Sequence, residues 1–474
     1  MQRRSLKKIF DHNQKQINGE TIFGNILEPD LSFLPKRFLN CTFQGNVSIE
    51  VGATNLTFIN CQFLGQNHTL SIRNNKKKIR FEGCNFEGNL SIKDIDKVEI
   101  VNTSIDESLS ILEGNYSSIL INNTLSEKKK IQHIYLETLN GDESKIKFIN
   151  LDIGHIHLPR LLRGKITLWE GNYNKIHLNE CEYVNKLEIS GRTSNGKPIN
   201  IQELHMPYLN HDGDILIEFA EIGKLNMNSF LSKKGTMRWQ SIKFKDDAEV
   251  MIQHSNLENV QWNGIDFKNA KLLFDWSVFS KMEIANITWP NKRILHPNLV
   301  YPQKNKDWFK SWFFLDVLKE REEKFSIQRE IYRQLKSISL KNDNNIDALA
   351  FYRNEMRVYW TYIRLKGGEN WWDQLLIFLN RYVSNFGQSY ALPLLWLLLF
   401  HWIFYSCVIS WNYSMDWGAF KNGLGEYFYL LNPVHKSPDY INTGMGKFTE
   451  FFMRVFSGFF IYHFIKATRK FGKM

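Results

Sequence analysis

A repeat near the start of the chain limits its fold more than any other feature. Four segments read FLNCTFQG (38–45), FINCQFLG (58–65), FEGCNFEG (81–88) and IVNTSIDE (100–107). Each is followed within a few residues by an apolar-Ser-apolar triplet: Val47-Ser48-Ile49, Leu70-Ser71-Ile72, Leu90-Ser91-Ile92 and Leu109-Ser110-Ile111. A second set lies between them, at Leu56-Thr57-Phe58, Ile79-Arg80-Phe81, Val98-Glu99-Ile100 and Ile119-Leu120-Ile121. An in-out-in triplet marks a strand with one buried face. Both ladders persist after the Cys-Phe repeat fades. The first runs through Ile134-Tyr135-Leu136, Ile156-His157-Leu158, Ile176-His177-Leu178, Leu204-His205-Met206 and Leu225-Asn226-Met227. The second reaches Met237-Arg238-Trp239, with weaker copies at Val260-Gln261-Trp262 and Met282-Glu283-Ile284.

Two strands per coil of about 21 residues predict a right-handed β-helix-like β-solenoid over residues 21–300, behind a basic segment at 1–20. Its coils would stack about 4.8 Å apart. The polar stretch GRTSNGKP (191–198) reads as a loop bulging from one coil. Cys41, Cys61 and Cys84 are expected to point inward as small core residues.

In register, the outward positions Tyr135, His157, His177 and His205 stack on consecutive coils, and they are the candidate ligand-binding residues. Aromatic faces in a row suit stacked bases, and paired imidazoles suit a metal. The same row also suits a ladder of like side chains that stabilises the sheet or meets another subunit. Lys145, Lys147, Arg160, Arg163 and Lys165 lie nearby in sequence and would favour an anionic ligand.

Past residue 300 the period changes from two to that of a helix. Aromatic residues Trp308, Phe309, Trp312 and Phe313 precede two predicted helices, 319–341 and 345–366, in a coupling module over 301–370. The expected apolar stripes are Phe325, Ile327, Ile331, Leu335 and Ile338, then Ile346, Leu349, Tyr352, Met356 and Tyr359. Residues 371–389, opening on two tryptophans, read as an amphipathic helix in the headgroup region.

Residues 390–474 then read as a transmembrane domain of two spans. The stretch 390–410, YALPLLWLLLFHWIFYSCVIS, has no Asp, Glu, Lys or Arg, and reaches about 30 Å as a helix. A second segment, 448–467, carries Glu450, Arg454 and His463. Glu450 and Arg454 are four apart and can pair on one face, and Gly458 permits close helix approach. Glu450, Arg454, Gly458 and Tyr462 are the pore-lining or gating candidates. The intervening EYFYLLNPVH (426–435) is too short to cross and suits a re-entrant or surface helix. The basic tail, Lys466, Arg469, Lys470 and Lys473, favours a cytoplasmic C-terminus. The first residues carry charge without an apolar run behind them, so a cytoplasmic N-terminal domain is expected, in a multi-pass inner-membrane protein.

The net charge of +11 favours anionic partners such as lipid headgroups or a nucleic acid. Five cysteines without a CxxC indicate neither a zinc site nor a disulfide framework. No phosphate-binding loop, nucleophile elbow or metalloprotease motif is present, and Asp246-Asp247 reads as a solvated turn. The expectation is a protein without catalysis, cofactor or metal.

REIYRQLK, DALAFYRNEM, WWDQLLIFLN, SNFGQSYALPLLW, FYLLNPVH and FSGFFIYHFIKATRKF lie in order between residues 329 and 471. This part resembles a group of bacterial membrane proteins that join a pentapeptide-repeat-like or β-helical cytoplasmic domain to a C-terminal, potassium-channel-like two-span unit. The solenoid is similar to that group, and to short-coil β-helices, in architecture only, because a strict five-residue period is absent. The resemblance implies a homotetramer, a re-entrant loop between the spans, and an antiphage effector of the Hailong type gated by a nucleotide or DNA oligomer. Gly423-Leu424-Gly425 and Thr443-Gly444-Met445-Gly446 do not reproduce a TVGYG filter, so potassium selectivity is not expected. The competing expectation is a membrane-tethered scaffold whose solenoid binds a partner protein.

Overall fold

The computed structural model describes residues 3–5, 15–24, 36–51, 55–72, 78–93, 95–112, 116–124, 130–137, 144–158, 161–178, 183–191, 196–232, 234–290, 294, 315–366, 371–412, 423–439 and 441–468. The aromatic residues 308–313, Arg160, Cys181, Arg469, Lys470 and Lys473 lie outside these residues, as do the side chains of Arg163, Ser71 and Ile72. The chain forms two compact units, Met1–Pro297 and Asn298–Met474.

The first unit is a β-solenoid over residues 16–285 with a coil spacing of about 22 residues. Every strand pairing in it is parallel, as one coil stacked on the next requires. One ladder runs without a slip from Ile17 through Phe38, Phe58, Phe81, Ile100, Ile121, Phe148, Leu168, Ile189, Ile217, Trp239 and Trp262 to Ile284. The sheet starts earlier than residue 21, since Arg3–Ser5 pairs with Thr21–Phe23 and Gln16–Asn18 with Lys36–Leu39.

The early coils carry three strands rather than the expected two, and in later coils the same positions merge into longer strands such as Lys145–His157. The extra one holds the repeat's second Phe, and it aligns Ile22, Phe43, Phe63, Phe86, Ile105, Ile131, Ile153, Tyr173 and Ile201. It hides in sequence because in early coils it is only two or three residues long, as in Gln62–Leu64 and Asn85–Phe86. The register also corrects one triplet. Val47-Ser48-Ile49 faces His68-Thr69-Leu70, not Leu70-Ser71-Ile72. A shift of two residues keeps the same face inward, so alternation cannot detect it. His68 takes the buried place of an aliphatic residue, its Nε2 meeting Gly65 O at 3.1 Å.

The NCxF repeat now has a physical explanation. Asn40, Asn60 and Asn102 turn the corner with φ of 51°, 53° and 51°, the left-handed region that Asn tolerates. The next residue points inward. Cys41, Cys61 and Cys84 are buried as expected, and the thiols of Cys61 and Cys84 donate at 3.4 Å to Phe38 O and Phe58 O of the preceding coil. In the fourth repeat Thr103 replaces Cys, buried and donating to Val101 O at 3.0 Å. The two Phe positions form parallel stacks, Phe38–Phe58–Phe81 at 4.9 and 5.0 Å and Phe43–Phe63–Phe86 at 4.5 and 4.2 Å. Gly191, at the stem of the 191–198 insertion, has no room for a Cβ, which would sit 2.2 Å from Ile199 N.

The second unit contains α1 (Leu315–Lys341), α2 (Asn345–Lys366), α3 (Trp371–Ser384), α4 (Ala391–Asn412), α5 (Leu424–Leu431) and α6 (Gly444–Thr468). Helices α1 and α2 form an antiparallel hairpin. The predicted stripe of α1 is buried, but Ile346 of α2 is exposed. The face turned to α1 is instead Ala348, Phe351, Glu355 and Val358, because Lys336 reaches Glu355 at 2.6 Å and makes a carboxylate acceptable there. Tyr352, Met356 and Tyr359 pack beside Ile363, Ile377 and Phe386, which joins α2 to α3. After α3, Asn385, Phe386 and Gly387 all have positive φ, and Arg357 of α2 donates to Asn385 Oδ1 at 3.0 Å. Pro393 sits in the first turn of α4, where a missing N–H costs nothing.

Among the described residues, only the Ala391–Trp411 part of α4 is long and apolar enough to cross a membrane by length and composition. It packs antiparallel to α6 through Phe400, Phe404, Phe456 and Phe460. Helix α5 lies against both, with Leu430 in a core of Tyr405, Val408, Ile441 and Met453.

Candidate functional sites

Three places concentrate polar chemistry. The first is an imidazole array at the C-terminal ends of the strands Lys130–Leu136, Lys145–His157, Leu161–His177 and Ile199–His205 on successive coils. Tyr135, His157, His177 and His205 are in register, as the sequence predicts. Their ring centroids are 4.8, 4.5 and 5.3 Å apart, and the first two pairs are nearly parallel. A second outward row, two residues earlier, adds His133 and His155 at 4.9 Å and continues into Lys175 and Glu203. The signal for it was the H-x-Y and H-x-H spacing at 133–135 and 155–157. Burial first, then the charges of His133 and Lys175, lowers the pKa of His155; burial and the neighbouring His155 lower that of His157. Burial also lowers His205, against its 3.1 Å contact with Glu203 Oε2.

The stacking limits what this array can bind. A base inserted between two rings needs about 7 Å, two van der Waals contacts of about 3.5 Å. Within the row, therefore, ring edges and only the outermost faces are offered to a ligand. Stacked rings also aim their nitrogens alongside one another rather than at a common point. Among the described residues no group of three or more His, Cys, Asp or Glu side chains is placed to hold a metal ion.

The second place is basic. Lys145, Lys165 and Lys186 align on consecutive coils, with Lys147 two residues on. Lys145 and Lys147 share the strand Lys145–His157 with His155 and His157, and Lys165 shares Leu161–His177 with His177, but corners at Asn150 and Glu170, with φ of 52° and 54°, separate the lysines from the histidines. Like charges in register are unfavourable, and Lys165 is offset directly by Glu188 at 2.6 Å. Trp169, half-exposed, lies under Lys147 Nζ at 5.8 Å and donates to Glu188 Oε1 at 3.2 Å. Trp169 carried no signal in sequence, because its exposure depends on the corner that begins at Glu170, where φ is 54°.

The third place is in the helical unit. Glu450 of α6 is only 4% exposed. It accepts from His435 Nε2 at 2.9 Å, Ser437 Oγ at 2.6 Å and Arg454 Nε at 3.1 Å. Glu450 and Arg454 pair as their spacing predicts, but Glu450 faces the loop after α5. Gly458 faces the same loop, its missing Cβ 3.9 Å from Pro433. Tyr462 stands apart on the exposed face of α6, with Phe448, Phe451 and Val455. His435 and Ser437 were missed in sequence because their partner is 13 to 15 residues away. No family model, curated protein or solved structure matches the chain.

Proposed function

We propose that the chain is a non-enzymatic, oligomeric membrane effector in which the solenoid senses an anionic ligand and the helical unit conducts ions. One observation carries this reading. An apolar helix, α4, lies against α6, and a short helix and its loop are held between them by buried polar bonds. His401 Nε2 of α4 meets Tyr427 O at 2.8 Å, and Glu450 of α6 holds His435. This order of outer helix, short helix, loop and inner helix is the plan of a two-span pore unit. With 25 residues, α6 has the length to cross, and the buried Glu450, paired with Arg454, turns toward the chain's own loop. The exposed tryptophans Trp371 and Trp372 suit α3 to the interface.

The ligand is read as a nucleotide or short DNA oligomer. Lys145, Lys147 and Trp169 supply cations beside an aromatic face, and the imidazole edges of the other surface are a second contact zone. On this reading the protein is an antiphage channel of the Hailong type, a homotetramer of the bacterial inner membrane with both termini cytoplasmic. Purified protein in liposomes should release a trapped ion dye when the oligomer is added, and Lys147→Glu should raise the concentration needed about tenfold. No flux with any oligomer overturns the reading.

A single clearly apolar helix also fits a tethered scaffold whose solenoid binds a partner protein. Exchanging residues 390–474 for an unrelated anchor separates the two, because a scaffold keeps its activity and a channel loses it.

A further inference from the structure

The bonds around His435 fix its protonation. Its side chain has no exposure to solvent. Nδ1 lies 2.6 Å from Asn432 O, and a carbonyl oxygen only accepts, so Nδ1 carries a hydrogen. Nε2 lies 2.9 Å from Oε1 of Glu450. That oxygen already faces the Arg454 guanidinium, and Oε2 takes the Ser437 hydroxyl, so the carboxylate is an acceptor throughout. Nε2 therefore carries a hydrogen as well. A ring that donates from both nitrogens is an imidazolium. His401 makes the contrast: Nε2 donates to Tyr427 O, while Nδ1 is buried without a hydrogen-bond partner, as in a neutral ring.

We propose that His435 is a protonated latch, fastening the loop after α5 to α6 through Asn432 O on one side and Glu450 on the other. The loop is the segment that would face ions, so this regulation rests on the pore reading above. The groups around the latch are Glu450 and Arg454 from α6, His401 from α4, and Tyr429 from α5, its ring 5.6 Å away. Lys436 and Asp439 on the loop itself are exposed. Removing the ring proton deletes one of the two bonds and sets a ring-nitrogen lone pair against an oxygen that only accepts. The loop then separates from α6 while Arg454 and Ser437 still hold Glu450.

Hydrogen exchange read by mass spectrometry on the full chain in nanodiscs tests the latch. Rates for amides 432–439 are compared with those of the α1–α2 hairpin, which removes the intrinsic effect of pH. From mildly acidic to alkaline buffer, protection of the loop should fall about tenfold, the loss of one charge-assisted hydrogen bond. H435Q keeps a donor toward Glu450 only, and H435N toward Asn432 only. Both should exchange about tenfold faster than the parent in acid and show no further change with pH. A parent loop whose relative protection ignores pH, or an H435Q loop as protected as the parent, overturns the proposal. The parent measurement needs no variant to fold. Exchange and flux also fail separately: a pH-dependent loop without flux keeps the latch and removes the pore.

Discussion

At the scale of single residues, the solenoid is built from side chains that repeat their neighbours. A stack such as Phe43–Phe63–Phe86 loses both contacts of its middle ring when that ring is removed. Phe63→Ala should therefore cost about 3–5 kcal/mol, read as a lower denaturant midpoint of the far-ultraviolet signal. The histidine array predicts a pH dependence. His155, His157 and His205 are held below the ordinary value of 6.5 in the folded state, first by burial. Below that pH the unfolded chain binds more protons than the folded one, so stability falls as pH drops through 6.5 and is flat above it. Urea midpoints taken across this range should slope downward toward acid, and His155→Gln with His157→Gln should flatten the slope. An unchanged slope would show that the array is not its source.

At the scale of elements, what was legible depended on which signal the structure obeyed. The triplets were readable because one buried face imposes period two, and so were the inward cysteines. The third strand was not, because a two-residue element has no period to read. The buried face of α2 was misjudged because a carboxylate, Glu355, occupies a place that hydropathy assigns to the surface. Only the partner, 19 residues away, explains it. That pair is testable. Lys336→Met leaves Glu355 buried with its charge unmatched, and should cost about 3 kcal/mol. Adding Glu355→Leu should restore most of this, since two apolar residues in contact need no pairing. The corners behave differently. At Asn60, with φ of 53°, Ala should cost about 1 kcal/mol and Gly almost nothing, because the strain lies in the backbone and not in a contact. Thermal melts of the two variants separate these accounts.

At the scale of the whole molecule, the helical unit has two apolar faces that the single chain leaves uncovered. On α4 they include Leu395, Leu398, Trp402 and Ile403, large and aliphatic or indole, as a lipid-facing helix requires. On α6 the exposed residues Phe448, Phe451, Val455 and Tyr462 follow helical spacing along one face. The polar side of α6 is already consumed by the loop after α5, so on the proposed pore reading this second face is the one left for another copy. Cysteine cross-linking in membranes decides between the helices, in a background without Cys181 and Cys407. Val455→Cys should give covalent dimers under mild oxidation, and Leu395→Cys should not. The reverse pattern would place α4 at the centre of the assembly and α6 against lipid, and the pore would then have to be lined by the most apolar helix of the chain.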